Sequence, residues 1–106
     1  MLTNYAEMDL ENIGDYIAYV LLNPESAIST VKGIRRQVSE LEYFPERNPL
    51  DKDPILGKVG IRATYYRNYK IYYIFDDDKS IVYIVRIFHM LEDSRRWLHD
   101  MFELEK

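Results

Sequence analysis

One stretch of the 106-residue chain carries only basic charges. From Leu56 to Phe75 every charged residue is a cation, namely Lys58, Arg62, Arg67 and Lys70. If neighbouring strands align, five basic and aromatic side chains converge on the sheet face that lies away from the helices: Arg62, Tyr66, Lys70, Tyr72 and Arg86. Cations of this kind bind a phosphate backbone, and the phenol rings would stack on bases. The pattern therefore predicts a surface for binding a phosphate or a protein target.

A histidine at the end of the last predicted strand could add proton transfer to this surface. His89 could take the 2′-hydroxyl proton or protonate the leaving oxygen in RNA cleavage, while Arg62 and Lys70 offset the charge on the phosphate. The alternatives are structural. Arg62 and Lys70 would then pair with carboxylates or cover apolar surface with their stems, and Arg86 would form a buried ion pair. His89 would bond to the neighbouring Asp93, and His99 would simply be exposed.

Composition excludes several classes of function. The chain has no cysteine, so disulfides, thiolate metal sites and thiol nucleophiles are excluded. It also has no paired-histidine zinc motif and no glycine-rich phosphate loop, so we expect neither a metal nor a cofactor. A net charge of -4 argues against a general nucleic-acid binder. No apolar stretch approaches the roughly 20 residues that cross a bilayer, so a cytoplasmic protein without a membrane partner is expected.

The order of the elements predicts an α+β fold in a single domain, residues 1–106, with an N-terminal helical hairpin packed on a small antiparallel β-sheet and a C-terminal helix. Residues Met1–Tyr5 could form a very short strand, and the first helix is expected from about Ala6 to Leu22. Asn23 and Pro24 then begin the second helix. Its apolar stripe recurs at helical spacing: Ala27, Val31, Ile34, Val38 and Leu41. The stretch from Phe44 to Asp53 is expected to be a loop.

Three strands and a last helix follow. The strands are predicted at Val59–Tyr66, Tyr69–Phe75 and Ile81–Phe88, and the helix at about Glu92–Glu105. Alternation assigns two sets of residues to the core: Ile61, Ala63 and Tyr65, together with Ile71, Tyr73 and Phe75. Because residues 81–85 are apolar on both faces, the third strand is predicted to be central.

The whole chain resembles toxins of the RelE/ParE superfamily, which belong to type II toxin–antitoxin systems. The resemblance lies in the order and spacing of seven segments: Asp9–Ile13, Tyr16–Ile17, Asn23–Ala27, Gly60–Arg62, Asn68–Tyr73, Val82–Ile87 and His89. It implies a helical hairpin on one face of a sheet and a cognate antitoxin that neutralises the protein. RelE-like members cleave mRNA on the ribosome without a metal, whereas ParE-like members inhibit DNA gyrase.

Departures from the RNA-cleaving pattern favour the ParE-like branch. Glu92 stands before Asp93, where related toxins often carry an arginine, although Arg95 or Arg96, one turn later, could substitute for it. Lys70 replaces the arginine of RelE-like toxins and loses its bidentate fork. A gyrase-binding toxin is therefore the first hypothesis, and a ribosome-dependent mRNA endoribonuclease is the second. The third is a non-toxic remnant that retains only antitoxin binding or homodimerisation.

Overall fold

The architecture joins a helical hairpin, an antiparallel sheet and two further helices. A computed structural model describes residues 1–102 and gives the elements in the order α1 (Asn4–Asp15), a π-helical segment (Tyr16–Val20), α2 (Pro24–Leu41), α3 (Pro54–Lys58), β1 (Ile61–Tyr66), β2 (Tyr69–Asp76), β3 (Ile81–His89) and α4 (Ser94–Met101). The predicted α+β class is confirmed. The predicted last helix begins at Ser94, and its final predicted residues lie outside the described part of the chain.

Capping side chains fix where the two helices of the helical hairpin begin. The hydroxyl of Thr3 accepts a hydrogen bond from the Ala6 N–H at 3.2 Å and caps α1. The side chain of Asn23 caps α2 by accepting the Ser26 N–H at 3.1 Å. The first helix was predicted to continue to Leu22, but it widens into the π-helical segment, and Leu22 adopts a φ of 55°. Within residues 1–102, no helix has the length and apolar character needed to span a membrane.

The sheet has the order β1-β2-β3, so β2 is the middle strand and the prediction of a central third strand was wrong. The N-terminal residues nevertheless cover the outer edge of β3. Leu2 forms a parallel bridge with Ile84, and the Met1 carbonyl accepts the Ile84 N–H at 2.9 Å. The very short first strand is thus present as one bridge. The apolar sequence of β3 reflects burial on both faces of the sheet rather than a central position in it.

Both faces of the sheet are packed. The main core lies between the helical hairpin and the sheet and contains Ala6, Leu10, Ile34, Val38, Leu41, Ile71, Tyr73, Val82, Ile84 and Ile87. A second, smaller core covers the opposite face with residues from α3 and α4, and it contains Leu56, Ile61, Tyr72, Val85, Phe88 and Leu98. The short helix α3 was not predicted, because Pro54 after the expected loop was taken as a helix breaker, whereas it occupies the first helical position behind the Asp53 cap.

A two-residue turn sets which side chains share a face. Arg67 has a φ of 52°, and the turn places Tyr66 opposite Tyr69. Counting back along the two strands, Arg62 lies opposite Tyr73 and therefore faces the helical hairpin. The two predicted core sets consequently lie on opposite faces of the sheet, and Tyr65 is half exposed rather than buried.

Candidate functional site

The five side chains predicted to converge do not form one cluster. Arg62 and Tyr66 lie on the face that packs against the helical hairpin, whereas Lys70, Tyr72 and Arg86 belong to the opposite face by register. The prediction of a shared face was wrong because it grouped Arg62 with Lys70. Residues opposite each other in an antiparallel pair share a face, and the partner of Lys70 is Tyr65.

Arg62 holds the loop between α2 and α3. Its Nη1 donates to the carbonyl of Asn48, and its Nη2 lies 3.7 Å from Oε2 of Glu46. Only 16% of the Arg62 side chain is exposed. The guanidinium is therefore occupied by loop contacts, as the structural alternative predicted.

Tyr66 packs on α2 at a glycine. A β-carbon built on Gly33 would lie 2.0 Å from the Tyr66 ring, so the ring rests directly on the helix backbone. The guanidinium of Arg67 lies 5.2 Å from the centre of the same ring. Tyr66 is thus a packing residue in this structure.

Lys70 lies between two phenol rings. Its Nζ is 4.9 Å from the ring centre of Tyr72 and 5.7 Å from that of Tyr65, which is the range of cation–π contacts. Burial opposes the charge, but the phenol groups of Tyr72 and Tyr65 outweigh it and raise the pKa of Lys70. The Tyr72 hydroxyl is hydrogen-bonded to the Ser94 hydroxyl of α4 at 2.8 Å. Lys70 therefore remains charged at neutral pH at the margin of the second core.

Arg86 forms a largely buried ion pair, as the structural alternative predicted. Its Nε and Nη2 donate to the two carboxylate oxygens of Asp9 at 2.7 and 2.9 Å. Asp9 also accepts the Ile87 N–H at 2.8 Å, so one carboxylate ties α1 to the edge of β3. The Cζ of Arg86 lies 4.5 Å from the Phe88 ring centre. This cation is neutralised in place.

His89 bonds to Leu91 and Glu92 rather than to Asp93, the partner that the structural alternative predicted. Its Nδ1 accepts the Leu91 N–H at 3.1 Å, while the His89 N–H donates to Oε1 of Glu92 at 3.0 Å. The ring also meets the ring of Tyr69 edge to face, with 5.4 Å between centroids. Because Nδ1 is an acceptor, the ring proton belongs on Nε2. In the described part of the chain, His89 is thus paired with neither Arg62 nor Lys70, the two cations predicted to act with it.

The basic residues of α4 differ in their surroundings. Arg95 is exposed and lies 3.6 Å from Oδ2 of Asp53, and Arg96 is exposed. His99 was expected to be simply exposed, but its Nε2 lies 2.8 Å from the same Asp53 oxygen. This hydrogen bond is the largest cause of a lowered Asp53 pKa, and the backbone N–H groups of Leu56 and Ile55 add to it.

Several polar side chains line a groove between α1 and the end of β3. This α1–β3 groove has a volume of about 650 Å³ and is lined by Asp9, Asn12, Ile13, Tyr16, Tyr69, Arg86, Ile87, His89, Leu91 and Glu92. Burial is the main cause that raises the pKa of Tyr69, and the nearby Tyr16 and Glu92 raise it further. Tyr16 and Tyr69 were not predicted as site residues, since nothing in the pattern of either segment indicates that they line one groove.

The tip of the helical hairpin exposes a second surface. Large apolar side chains crowd the π-helical segment and the turn after it: Tyr16, Tyr19, Val20, Leu21, Leu22 and Ile28. Tyr19 and Leu22 are 76% and 81% exposed. Contiguous apolar surface of this kind often marks a site of protein–protein interaction.

A group of acids is the candidate cation site in residues 1–102. The carboxylates of Asp76, Asp77 and Asp78 lie within 4.8 Å of one another in the turn between β2 and β3. Asp76 already accepts the N–H groups of Asp78 and Lys79 there. Asp76 thus has a role in forming the turn.

Comparisons with known proteins agree with this architecture. The profile of the family described as the ParE toxin of type II toxin-antitoxin system, parDE, matches residues 1–94. A chain in the structure of the chromosomal ParDE TA system from P. aeruginosa superposes with a TM-score of 0.68 at 24% identity, over 83% of this chain and 90% of that chain. A comparison with curated protein sequences found no match. The family match covers most of the sequence and the fold agrees with it, so this chain belongs to the ParE toxin family of type II toxin–antitoxin systems.

Proposed function

We propose that this protein inhibits DNA gyrase by binding it, without catalysis, and that a cognate antitoxin neutralises it in the cytoplasm. The observation that carries the proposal is the separation of the three residues predicted to be catalytic. Arg62 and Lys70 lie on opposite faces of the sheet. The partner of Arg62 on β2 is Tyr73 and that of His89 is Tyr69, which are four residues apart. That spacing is roughly 13 Å along the strand.

Distances of this size argue against cleavage of a phosphodiester. Proton transfer requires a donor within hydrogen-bond distance of the reacting oxygen, and charge stabilisation requires cations at the same phosphate. Arg62 is held by Asn48 and Glu46, and Arg86 is held by Asp9. The net charge of -4 likewise disfavours a ribosomal RNA surface as the target.

The exposed apolar tip of the helical hairpin supports a protein target instead. Tyr19 lies in the π-helical segment, and Leu22, with its φ of 55°, lies two residues after that segment. Both side chains are exposed and belong to neither core. Exposed aromatic and aliphatic side chains contribute strongly to binding energy once a partner removes them from water. The tip is therefore the surface that we assign to gyrase.

Inducible expression tests the proposal, with gyrase supercoiling and translation assayed separately. We expect inhibited supercoiling and intact translation, and His89→Ala and Lys70→Ala should both remain toxic. Tyr19→Ser combined with Leu22→Ser should abolish toxicity, while Tyr43→Ser, at an equally exposed residue near the loop, should not. Translation arrest that requires His89 would instead identify an mRNA endoribonuclease. Normal growth with both processes unaffected would identify a non-toxic remnant.

A further inference from the structure

We propose that the α1–β3 groove binds a basic side chain, arginine or lysine, on the segment of the antitoxin that covers this toxin. The inference rests on the proposed antitoxin partner, but it concerns a site that can be tested with the toxin alone. Three features of the groove support it: two phenol rings, an excess of carboxylates and the absence of an available cation among its lining residues.

The rings come from two elements that the fold brings together. Tyr16 begins the π-helical segment, and Tyr69 begins β2 next to the turn. Tyr16, Tyr69 and Glu92 all line the groove, so the three side chains face one space. A guanidinium or ammonium that lies against phenol rings beside a carboxylate gains both cation–π and ionic attraction.

Charge selects a cation over an anion in this groove. Of the four acids of α1, Asp9 lines the groove, whereas Glu7, Glu11 and Asp15 line a separate pocket together with Arg35. Glu92 adds a second carboxylate from the segment that follows β3. Arg86 is the fixed cation among the lining residues, and Asp9 holds it in a bidentate pair. A phosphate group would therefore meet net negative charge.

Glu92 is the acid that the proposal places against the ligand. Its Oε1 accepts the His89 N–H, which fixes the carboxylate at the mouth of the groove and leaves the second oxygen for a ligand. The His89 ring uses its Nδ1 to accept the Leu91 N–H in this arrangement. The exposed Leu91 and Tyr16 would then cover the aliphatic stem of the bound side chain.

Titration of the ¹⁵N-labelled full chain with Nα-acetyl-arginine methylamide tests the site, and the citrulline analogue serves as a neutral probe of the same shape. We expect saturable shifts of the amide signals of Tyr16, Tyr69 and Leu91 with the arginine probe. Binding of the citrulline probe should be weaker by about tenfold or more. Glu92→Gln, which retains an acceptor for His89, should weaken arginine binding several-fold, and Tyr16→Leu should do the same. Glu25→Gln, an exposed acid on α2, should not change it.

Three results would overturn the inference. Equal binding of the two probes would mean that charge is not recognised, and arginine-dependent shifts confined to other residues would place the site elsewhere. Tighter binding of adenosine monophosphate in the groove would identify a nucleotide ligand instead. If arginine binds as expected but supercoiling is unaffected in cells, the groove stands and the gyrase proposal fails. Inhibited supercoiling without arginine binding would give the reverse conclusion.

Discussion

Gly33 and Tyr66 are in such close contact that a β-carbon on the glycine would lie 2.0 Å from the tyrosine hydroxyl oxygen. The contact joins the middle of α2 to the end of β1, directly before the turn of the β-hairpin. It therefore fixes the distance between the β1–β2 hairpin and α2. It also explains why the interior of α2 contains a buried glycine.

Gly33→Ala should destabilise the protein although alanine is the better helix former. In an open helix the change would stabilise by about 1 kcal/mol, but displacement of the Tyr66 ring should cost about 1–3 kcal/mol. Urea denaturation measures the difference. In a Tyr66→Ala background the same glycine substitution should be neutral or stabilising, because the ring is absent. A Gly33→Ala variant more stable than the wild type would contradict the contact.

Loss of the Asp9 carboxylate should be among the most damaging changes at a charged residue. Asp9 and Arg86 are 12% and 18% exposed, and Asp9 also satisfies the Ile87 N–H. Removal of one partner of such a pair leaves a buried charge, so Asp9→Ala should lower the free energy of unfolding by about 3 kcal/mol. The double variant Asp9→Leu, Arg86→Met should recover much of this loss. With Asp9→Leu and Arg86→Met also made singly, additive effects in this double-mutant cycle would show that the pair is not coupled.

Much of the fold could be predicted from the sequence because its local signals are strong. Asn23 and Pro24 mark the start of α2, and the β-branched and aromatic runs mark all three strands. The faces of β1 could not be assigned from apolarity, since both faces of the sheet are covered and Ile61 is as buried as Ile71. The turn at Arg67 and Asn68 was the better guide, because its length alone places Tyr66 opposite Tyr69.

The candidate site was less predictable, since its contacts join distant parts of the chain. Arg86 was expected to need a partner, but Asp9 lies 77 residues before it. The groove depends on how the end of α1 packs beside β3, and neither segment alone indicates that Tyr16 approaches Tyr69. Sequence patterns report periodicity within an element, whereas these contacts depend on packing between elements.

Tyr73→Phe should loosen the loop between α2 and α3. The buried Tyr73 hydroxyl donates to the Pro45 carbonyl at 2.8 Å and accepts from Nδ2 of Asn48 at 3.1 Å. Removal of one oxygen leaves two polar groups without their partner, at a cost of about 1–3 kcal/mol. Limited proteolysis should show faster cleavage within residues 44–53, together with a lower midpoint in urea. Tyr43→Phe, at an exposed phenol beside the loop, is the matched control and should change neither measurement.

Protonation of Asp53 should weaken the attachment of α4 in acid. His99 is the largest cause of the lowered Asp53 pKa, and Asp53 also caps α3 through the N–H groups of Ile55 and Leu56. Because the pKa is lower in the folded protein than its ordinary value of 3.8, the carboxylate stabilises the fold fully above that value. This contribution is lost as the pH falls through the lower, folded-state pKa.

Denaturation measured at a series of pH values tests the contribution of Asp53. The wild type should lose stability relative to Asp53→Asn as the pH falls below 3.8, since the amide does not titrate. Asp77→Asn, at an exposed acid in the turn between β2 and β3, should follow the wild-type pH dependence. His99→Gln should move the Asp53 titration, followed by carboxyl ¹³C NMR, back towards 3.8, because it removes the largest cause of the shift. An unchanged Asp53 titration in that variant would mean that His99 does not hold the carboxylate in solution.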